Sequence, residues 1–473
     1  MFSLPIVDHE VFERYAGLSL PRHVSYPMPT WWHDVDPHEA TSIREESLQQ
    51  VPQRDLSIYL HIPFCEALCK FCACNKTIMR KTAKNADENV SSYVKALLQE
   101  MSWRASTLGA GRCVRQIHWG GGTPTYLSCQ LIQEIHNTLA SLFDIHCDAE
   151  ISIEVDPRVT SSEQLQLLRH LGFNRISLGV QDFDERVQKH IHRVQPYELV
   201  KQCVETCRES GFESLNFDLI YGLPYQTVET VADMVDKSIS LSPDRVAFYH
   251  YAQIPDKIAT QRGIHHQQMP DSKNKLAMFL LAVERFQSAG YEFIGLDHFA
   301  KADETLAQAA RQGTINRNFQ GMTTGVDLDL IGIGASSISQ FVRFGYLQNH
   351  REPQTYVDRI QQTLEPAIRG IRLNEDDCLR QTVINHLYCY AEICPKRIEA
   401  LFDIVFDEYF ATELEQLEQL QNDGLVNITS DNRIQLTFPL GRVLMRNVAA
   451  IFDAYINRDA YRFGEKHAFS TNA

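Results

Sequence analysis

Short apolar runs recur along most of the chain, and the stretches between them carry apolar residues three and four positions apart. The runs at 56–63, 114–119, 149–155, 174–180, 214–221, 245–251 and 291–297 predict strands. The intervening 90–104, 131–142, 162–171, 199–210, 230–239 and 274–287 have the spacing of amphipathic helices. A chain that alternates in this way builds a parallel sheet with right-handed crossovers. Seven runs fall short of a closed eight-stranded barrel, so the pattern predicts an α/β fold with an open, partial barrel of (β/α)6 type over residues 51–345.

The flanks differ from this core. Residues 1–50 mix aromatic, proline and acidic residues without periodicity, which predicts an arm that is ordered only by lying on something else. It is either simply packed or folded as a flap over the active site, with Arg22 facing an anionic substrate. Residues 346–473 are mostly helical, and a helix over 414–424 followed by two short strand-like runs around 430–433 resembles a winged helix. We read that region as a lid or packing domain.

In any such barrel the functional groups should gather where the strands end. Polar or glycine-rich chemistry does follow the predicted strands: Trp119-Gly-Gly-Gly-Thr-Pro-Thr125, Ile153-Glu-Val-Asp-Pro157, Leu178-Gly-Val-Gln-Asp182, Phe217-Asp-Leu-Ile-Tyr-Gly-Leu-Pro224 and Tyr249-His-Tyr-Ala252. After the first run comes His61-Ile-Pro-Phe-Cys-Glu-Ala-Leu-Cys-Lys-Phe-Cys-Ala-Cys-Asn-Lys76. Cys65, Cys69 and Cys72 stand four and three residues apart, so one short loop can aim all three sulfurs at a point, with Cys74 close behind. Coordination number separates the two metals that compete for such a set. Structural zinc takes four closed ligands, whereas an iron–sulfur cube held by three cysteines keeps one iron open.

Composition bounds the partners. The 473 residues are 44% hydrophobic and 22% charged, as in ordinary globular proteins, and the net charge of −15 argues against binding nucleic acid. The other eight of the twelve cysteines are scattered and form no disulfide framework, which points to a reducing, cytoplasmic setting. Residues 1–10 lack a leader pattern, and no apolar run has membrane-spanning length.

Several residues near predicted strand ends are candidates for binding. Gly120, Gly121 and Gly122 let backbone approach a ligand, and their amides can meet a carboxylate. Glu154 and Asp218 could hold ribose hydroxyls or an ammonium, or could cap the following helix; for Asp156 the cap is preferred because Pro157 follows. Gln181 and Arg193 could meet a second ligand. Tyr59 and Phe71 flank the cysteine loop and offer aromatic faces for an adenine or for packing. His61 reads as a satisfied core residue and not as a fourth iron ligand.

The cysteine loop and its position resemble the radical SAM superfamily. With His118-Trp-Gly-Gly-Gly-Thr-Pro-Thr-Tyr126, Glu150-Ile-Ser-Ile-Glu-Val-Asp-Pro157, Gly179-Val-Gln-Asp-Phe183, Asp218-Leu-Ile-Tyr-Gly-Leu-Pro224, Asp297-His-Phe-Ala300 and Arg317-Asn-Phe-Gln-Gly321, the chain resembles the oxygen-independent coproporphyrinogen III oxidase family almost throughout. That resemblance implies one four-iron four-sulfur cluster on Cys65, Cys69 and Cys72, and two S-adenosylmethionine (SAM) molecules. Tyr59, Gly121, Glu154 and Ile338 would contact the SAM on the open iron. Phe71, Gly122, Thr123, Gln181, Arg193, Asp218 and Ala252 would contact the second, and Cys74 would lie near the site as a catalytic residue without holding the cluster. It further implies a tetrapyrrole substrate, a flavodoxin-like reducing donor, a separate terminal electron acceptor and a monomer.

The implied reaction is radical cleavage of SAM, hydrogen abstraction from a propionate β-carbon and loss of carbon dioxide. Carried out twice, it leaves two vinyl groups on the macrocycle. Departures from the family pattern concentrate at the expected substrate side: His23, Val24 and Met28 in the arm, Lys301 after Asp297-His-Phe-Ala300, and Met322 after Gly321. They leave room for a radical SAM methyltransferase or cyclopropane-forming relative. A haem-binding chaperone relative is disfavoured by the presence of Cys74 and Arg22 and by the order Asn349-His350. Arg22, Lys301 and Arg317 are the cations expected to meet substrate carboxylates.

Overall fold

The computed structural model of the protein describes residues 7–264 and 268–456. The first six residues, part of the stretch read above for a leader, lie outside them. The chain folds into two compact units, one built from Trp32–Asp218 with Gly325–Leu373, the other from Leu219–Thr324 and the segment from Asn374 onward with the amino-terminal segment up to Trp31.

The principal strands are β1 (Leu56–Ile62), β2 (Cys113–Gly121), β3 (Asp144–Val155), β4 (Arg175–Gln181), β5 (Ser214–Tyr221), β6 (Arg245–His250), β7 (Tyr291–Gly295), β8 (His298–Lys301), β9 (Asp329–Ile333), β10 (Ile338–Phe341), β11 (Gly345–Asn349) and β12 (Ala367–Arg372). In the first unit they lie in the order β12, β11, β10, β9, β1, β2, β3, β4, and β5 begins beside β4. Strands β9, β1, β2, β3 and β4 run parallel. Their ends therefore share one edge, where the cysteine loop leaves β1. Among the described residues no pairing closes this sheet into a barrel.

β1 alternates, with Leu56, Ile58, Leu60 and Ile62 on its apolar face and Ser57, Tyr59 and His61 on the other; only Tyr59 is not fully buried. Trp119 on β2 is wholly buried and meets Phe173 edge-to-face at 5.5 Å. Two parts of the parallel plan need correction. The run at 291–297 does not pair with β6: β8 lies between them, antiparallel to each, so β7 keeps the direction of β6 without being its neighbour. Conversely, β9 was not expected, and it lies parallel to β1 with Asp329 opposite Leu56.

In the second unit, the amino-terminal helix His9–Ala16 is capped by Asp8 and bound through Arg14 to Asp423 at 2.8 Å. The helix Ala411–Asn422 leads into a hairpin, Val426–Ile428 with Ile434–Leu436. No helix among the described residues is long and apolar enough to cross a membrane. All twelve cysteines are free.

Candidate active site

The cysteine loop is pinned at both ends. Phe64–Cys65 and Thr77–Ile78 pair as two-residue strands, Met79 N–H donates to the Cys65 carbonyl at 2.8 Å, and Lys70 N–H donates to Ile191 O at 3.0 Å. Inside the loop, the Lys76 ammonium donates to the Cys72 carbonyl at 2.8 Å. Cys65 and Cys72 are half-buried, Cys69 is buried and Cys74 exposed. Burial pushes the Cys65 thiol up to about 11, with the neighbouring Cys72 and Cys69 also raising it, so the three sulfurs lie within electrostatic reach of one another. A hydrogen bond with Cys74 and the charge of Lys76 bring Cys72 down to about 6, which favours the thiolate that a metal needs.

This donor set fits a cluster better than a single ion. Sulfurs round one tetrahedral zinc sit about 3.8 Å apart, given zinc–sulfur bonds of about 2.3 Å. The loop cysteines do not draw together to that spacing; among the described residues only His146, Cys147 and Asp148 bring three such ligand atoms within 4.8 Å.

Beside the loop, β1 and β2 carry a linked polar row. The Tyr59 hydroxyl and His61 Nδ1 are 3.0 Å apart, Tyr59 stacks on His118, and His118 Nε2 lies 3.3 Å from Glu154. His61 Nε2 meets the Asn75 carbonyl at 3.0 Å, and burial lowers this histidine to about 4, so it is neutral and satisfied, as read from its place in the strand. Partial burial works against the Glu154 charge, but His118 and the Gly121 amide hold its carboxyl below the ordinary range. The Glu154 side chain remains 43% exposed and so is available to a ligand.

The glycines differ from expectation in one respect. Gly121 N–H donates to Glu154 at 3.2 Å and Gly122 N–H donates to Ile62 O at 2.8 Å, so these amides are engaged within the protein. What the triplet supplies is space. A Cβ on Gly122 would stand 2.6 Å from Pro63 O, and Gly121, at φ +115°, would drive one to 2.6 Å from the His61 ring.

Past β3 and β4 lies a charged knot. Asp156 does not cap a helix, because Ser161 caps the one that follows. Instead it accepts from Arg158 at 2.6 Å and from Arg193 at 3.1 Å. Gln181 ends β4 in the left-handed region at φ +69°, buried; a non-glycine residue held there is commonly part of a binding site. Asp218 accepts from Ser177 and Asn216, each at 3.0 Å, and is likewise no helix cap, since Thr227 holds that position. Thr123 places its hydroxyl 3.5 Å from Cys65 Sγ, Phe71 is half-buried in the loop, and Ile338 opens β10 just beyond the Gly334 turn. His118 and Arg158 had no role in the reading of the sequence; only their nearness to strand ends could have flagged them.

The second unit contains a pocket of its own, open to solvent. It is lined by Arg22, His250, Ala252, Arg442 and Arg446, and Asp297 is the single carboxylate among its lining residues. Arg22 pairs with Asp297 and lies over the Tyr249 ring. Arg446 donates to the Leu20 and Pro21 carbonyls, and burial brings it down to about 10. Burial, then the charges of Lys275, Arg22 and Arg446, hold His250 well below its usual range, as expected in a positive enclosure.

Two of the expected substrate cations do other work. Lys301 is tied to Asp244 at 3.1 Å, and Arg317 donates to the Arg22 and His23 carbonyls while lying over Tyr388. His23, one of the departures, is buried against Asp453 at 2.9 Å and Tyr388 at 3.3 Å. Arg442 was missed because nothing local in the sequence marks it, and Arg446, within Met445-Arg-Asn447, was given no role.

An open parallel sheet with a three-cysteine loop after its first strand, a glycine triplet after the next and an acid after the third defines a radical SAM enzyme, and residues 59–237 match the radical SAM superfamily. Over 96% of both chains it is 42% identical to the oxygen-independent coproporphyrinogen III oxidase of Salmonella typhimurium, and it is 37% identical to that of Synechocystis over 94% of this chain and 95% of the relative. The solved coproporphyrinogen III oxidase (HemN) of Escherichia coli, described as a radical SAM enzyme, matches with a TM-score of 0.87 and 40% identity over 96% of this chain and all of that one. The chain therefore belongs to the oxygen-independent coproporphyrinogen III oxidase family.

Proposed function

We propose that this protein converts coproporphyrinogen III to protoporphyrinogen IX, oxidatively decarboxylating two propionates to vinyls in haem synthesis. Kinship at 42% identity over 96% of both chains is the observation that carries this reading. A four-iron four-sulfur cluster and SAM supply, when bound, the one-electron cleavage that yields a hydrogen-abstracting radical.

The protein's own residues prepare that chemistry. Cys65, Cys69 and Cys72 hold the cluster. Glu154, fixed by His118 and Gly121, receives the cationic end of SAM; Tyr59 and Ile338 border it. Gly122, Thr123, Phe71, Gln181, Arg193 and Asp218 serve a second SAM, and Cys74 acts beside the loop without binding iron. The tetracarboxylate substrate meets Arg22, Arg442 and Arg446, where charge-assisted hydrogen bonds overcome the acidic balance of the whole chain. A flavodoxin-like donor, a separate terminal acceptor, a monomeric state and a cytoplasmic setting complete the reading; twelve free cysteines support the last of these.

The test is anaerobic reconstitution with iron and sulfide, followed by SAM, reductant and coproporphyrinogen III. The expected product is protoporphyrinogen IX with two equivalents of carbon dioxide. A methylated or cyclopropanated product, or tight haem binding without turnover, would reject it.

A further inference from the structure

The charged knot after β3 reaches the cysteine loop. Arg158 Nη2 lies 3.4 Å from Cys69 Sγ and Arg193 Nη1 lies 3.5 Å from the same sulfur. Both are within reach for N–H···S hydrogen bonds. Arg158 cannot swing freely, because Asp156 grips it at three donors: its backbone N–H at 3.0 Å, Nε at 3.0 Å and Nη2 at 2.6 Å. Arg193 is fixed by Asp156 and by the Gly179 carbonyl at 2.6 Å. Two fixed cations share one carboxylate, so about one positive charge is left facing Cys69. Arg158 is itself mostly buried, with 17% of its side chain exposed, so solvent screens the charge only in part.

We infer that Arg158 is a positioning residue for the iron–sulfur centre: its guanidinium, held by Asp156, hydrogen-bonds the Cys69 sulfur and raises the cluster's reduction potential. The inference rests on the functional reading above, which assigns Cys69 to the cluster. Hydrogen bonds to a ligating sulfur, and positive charge beside it, favour the more negative reduced state. A cluster that must pass an electron to a sulfonium sits at low potential, and such a contact sets how strong a donor it needs. Arg158 thereby touches neither substrate nor SAM in this role and acts through Cys69.

The experiment uses the full chain, reconstituted anaerobically without SAM, and follows the reduced cluster by electron paramagnetic resonance during a redox titration. Arg158→Gln should leave about tenfold less reduced cluster at a given poise, equivalent to about 59 mV for one electron. Arg158→Lys, which restores charge without the fork, should recover part of the shift. A second measurement needs no variant: wild-type protein labelled with 15N-arginine should show weak nitrogen coupling to the reduced cluster in hyperfine spectroscopy. An unchanged potential in Arg158→Gln with full iron content, or no arginine coupling in the wild type, overturns the inference. If Arg158→Gln loses its iron, Arg158→Lys decides, since Arg193 would also couple in the wild type: a potential unchanged from wild type overturns the inference. Wild-type protein that assembles no cluster overturns the functional reading and this inference together, whereas a normal cluster indifferent to Arg158 overturns the inference alone.

Discussion

Glu100, wholly buried in the helix Ala86–Thr107, is the group whose change should be felt furthest through the first unit. Its Oε1 accepts from Arg104 at 3.1 Å and Asn349 at 3.0 Å, and its Oε2 accepts from Gly334 N–H at 2.8 Å and Tyr356 O–H at 2.6 Å. Gly334 opens the turn after β9, and Tyr93, on the same helix, ties that turn to the end of β1: its hydroxyl accepts from Ala335 N–H at 2.9 Å and donates to His61 O at 2.7 Å. Glu100→Gln cannot satisfy this ring. Whichever way the amide turns, its NH2 faces two donors, and Arg104, also fully buried, loses its counter-charge.

Breaking a buried ion pair by removing one partner costs about 3–5 kcal/mol, and each stranded buried donor about 1–3, overlapping with the first figure. The expected loss is therefore about 3–5 kcal/mol. Because two compact units need not unfold together, hydrogen exchange of the helix amides is the better assay, with urea denaturation beside it. Exchange should quicken in Ala86–Thr107 and in residues 334–337, and SAM affinity should fall through the neighbouring Ile338. The double change Glu100→Leu with Arg104→Met removes both charges and should be less harmful than the sum of the two single changes, by about 1–3 kcal/mol of coupling. A loss below about 1 kcal/mol, or strict additivity, would refute the claim that this ring anchors the strand ends.

Three further outcomes are expected. Gly122→Ala, which presses a Cβ against the Pro63 and Phe64 carbonyls, should displace the cysteine loop and reduce iron retained after reconstitution, measured per chain. His386 is held down to about 4, from 6.5, by burial first and then by Arg397. The unfolded chain takes up this proton more readily, so stability is full above about pH 6.5 and falls towards pH 4 by up to about 3 kcal/mol; His386→Gln should flatten that part of a urea-midpoint profile. Arg442→Gln should raise KM for coproporphyrinogen III about tenfold to hundredfold, for the loss of one charge-assisted contact of about 1.5–3 kcal/mol. Lys301→Met, which breaks ties to Asp244 and the Ser242 carbonyl at a residue that does not line the pocket, should leave KM within about twofold.

What could be read in the chain was the chemistry that lies close together along it. Cys65, Cys69 and Cys72 sit within one loop, and Gly121 and Glu154 each end a strand whose apolar run is unmistakable. β9 escaped because it is only five residues long and interrupted by Gly332, too short for a period to show. Charge was the harder problem. Lys301 and Arg317 looked like substrate cations beside family motifs, but in the fold Asp244 holds the first and the arm's carbonyls hold the second. The partners that decide this are set by topology: Arg193 lies 37 residues from Asp156, and Glu100 lies 249 from Asn349. A sequence window reports what a residue can offer, and the fold reports what is already taken. Arg442, which lines the pocket and lies over the Phe293 ring, is marked by nothing local in the sequence.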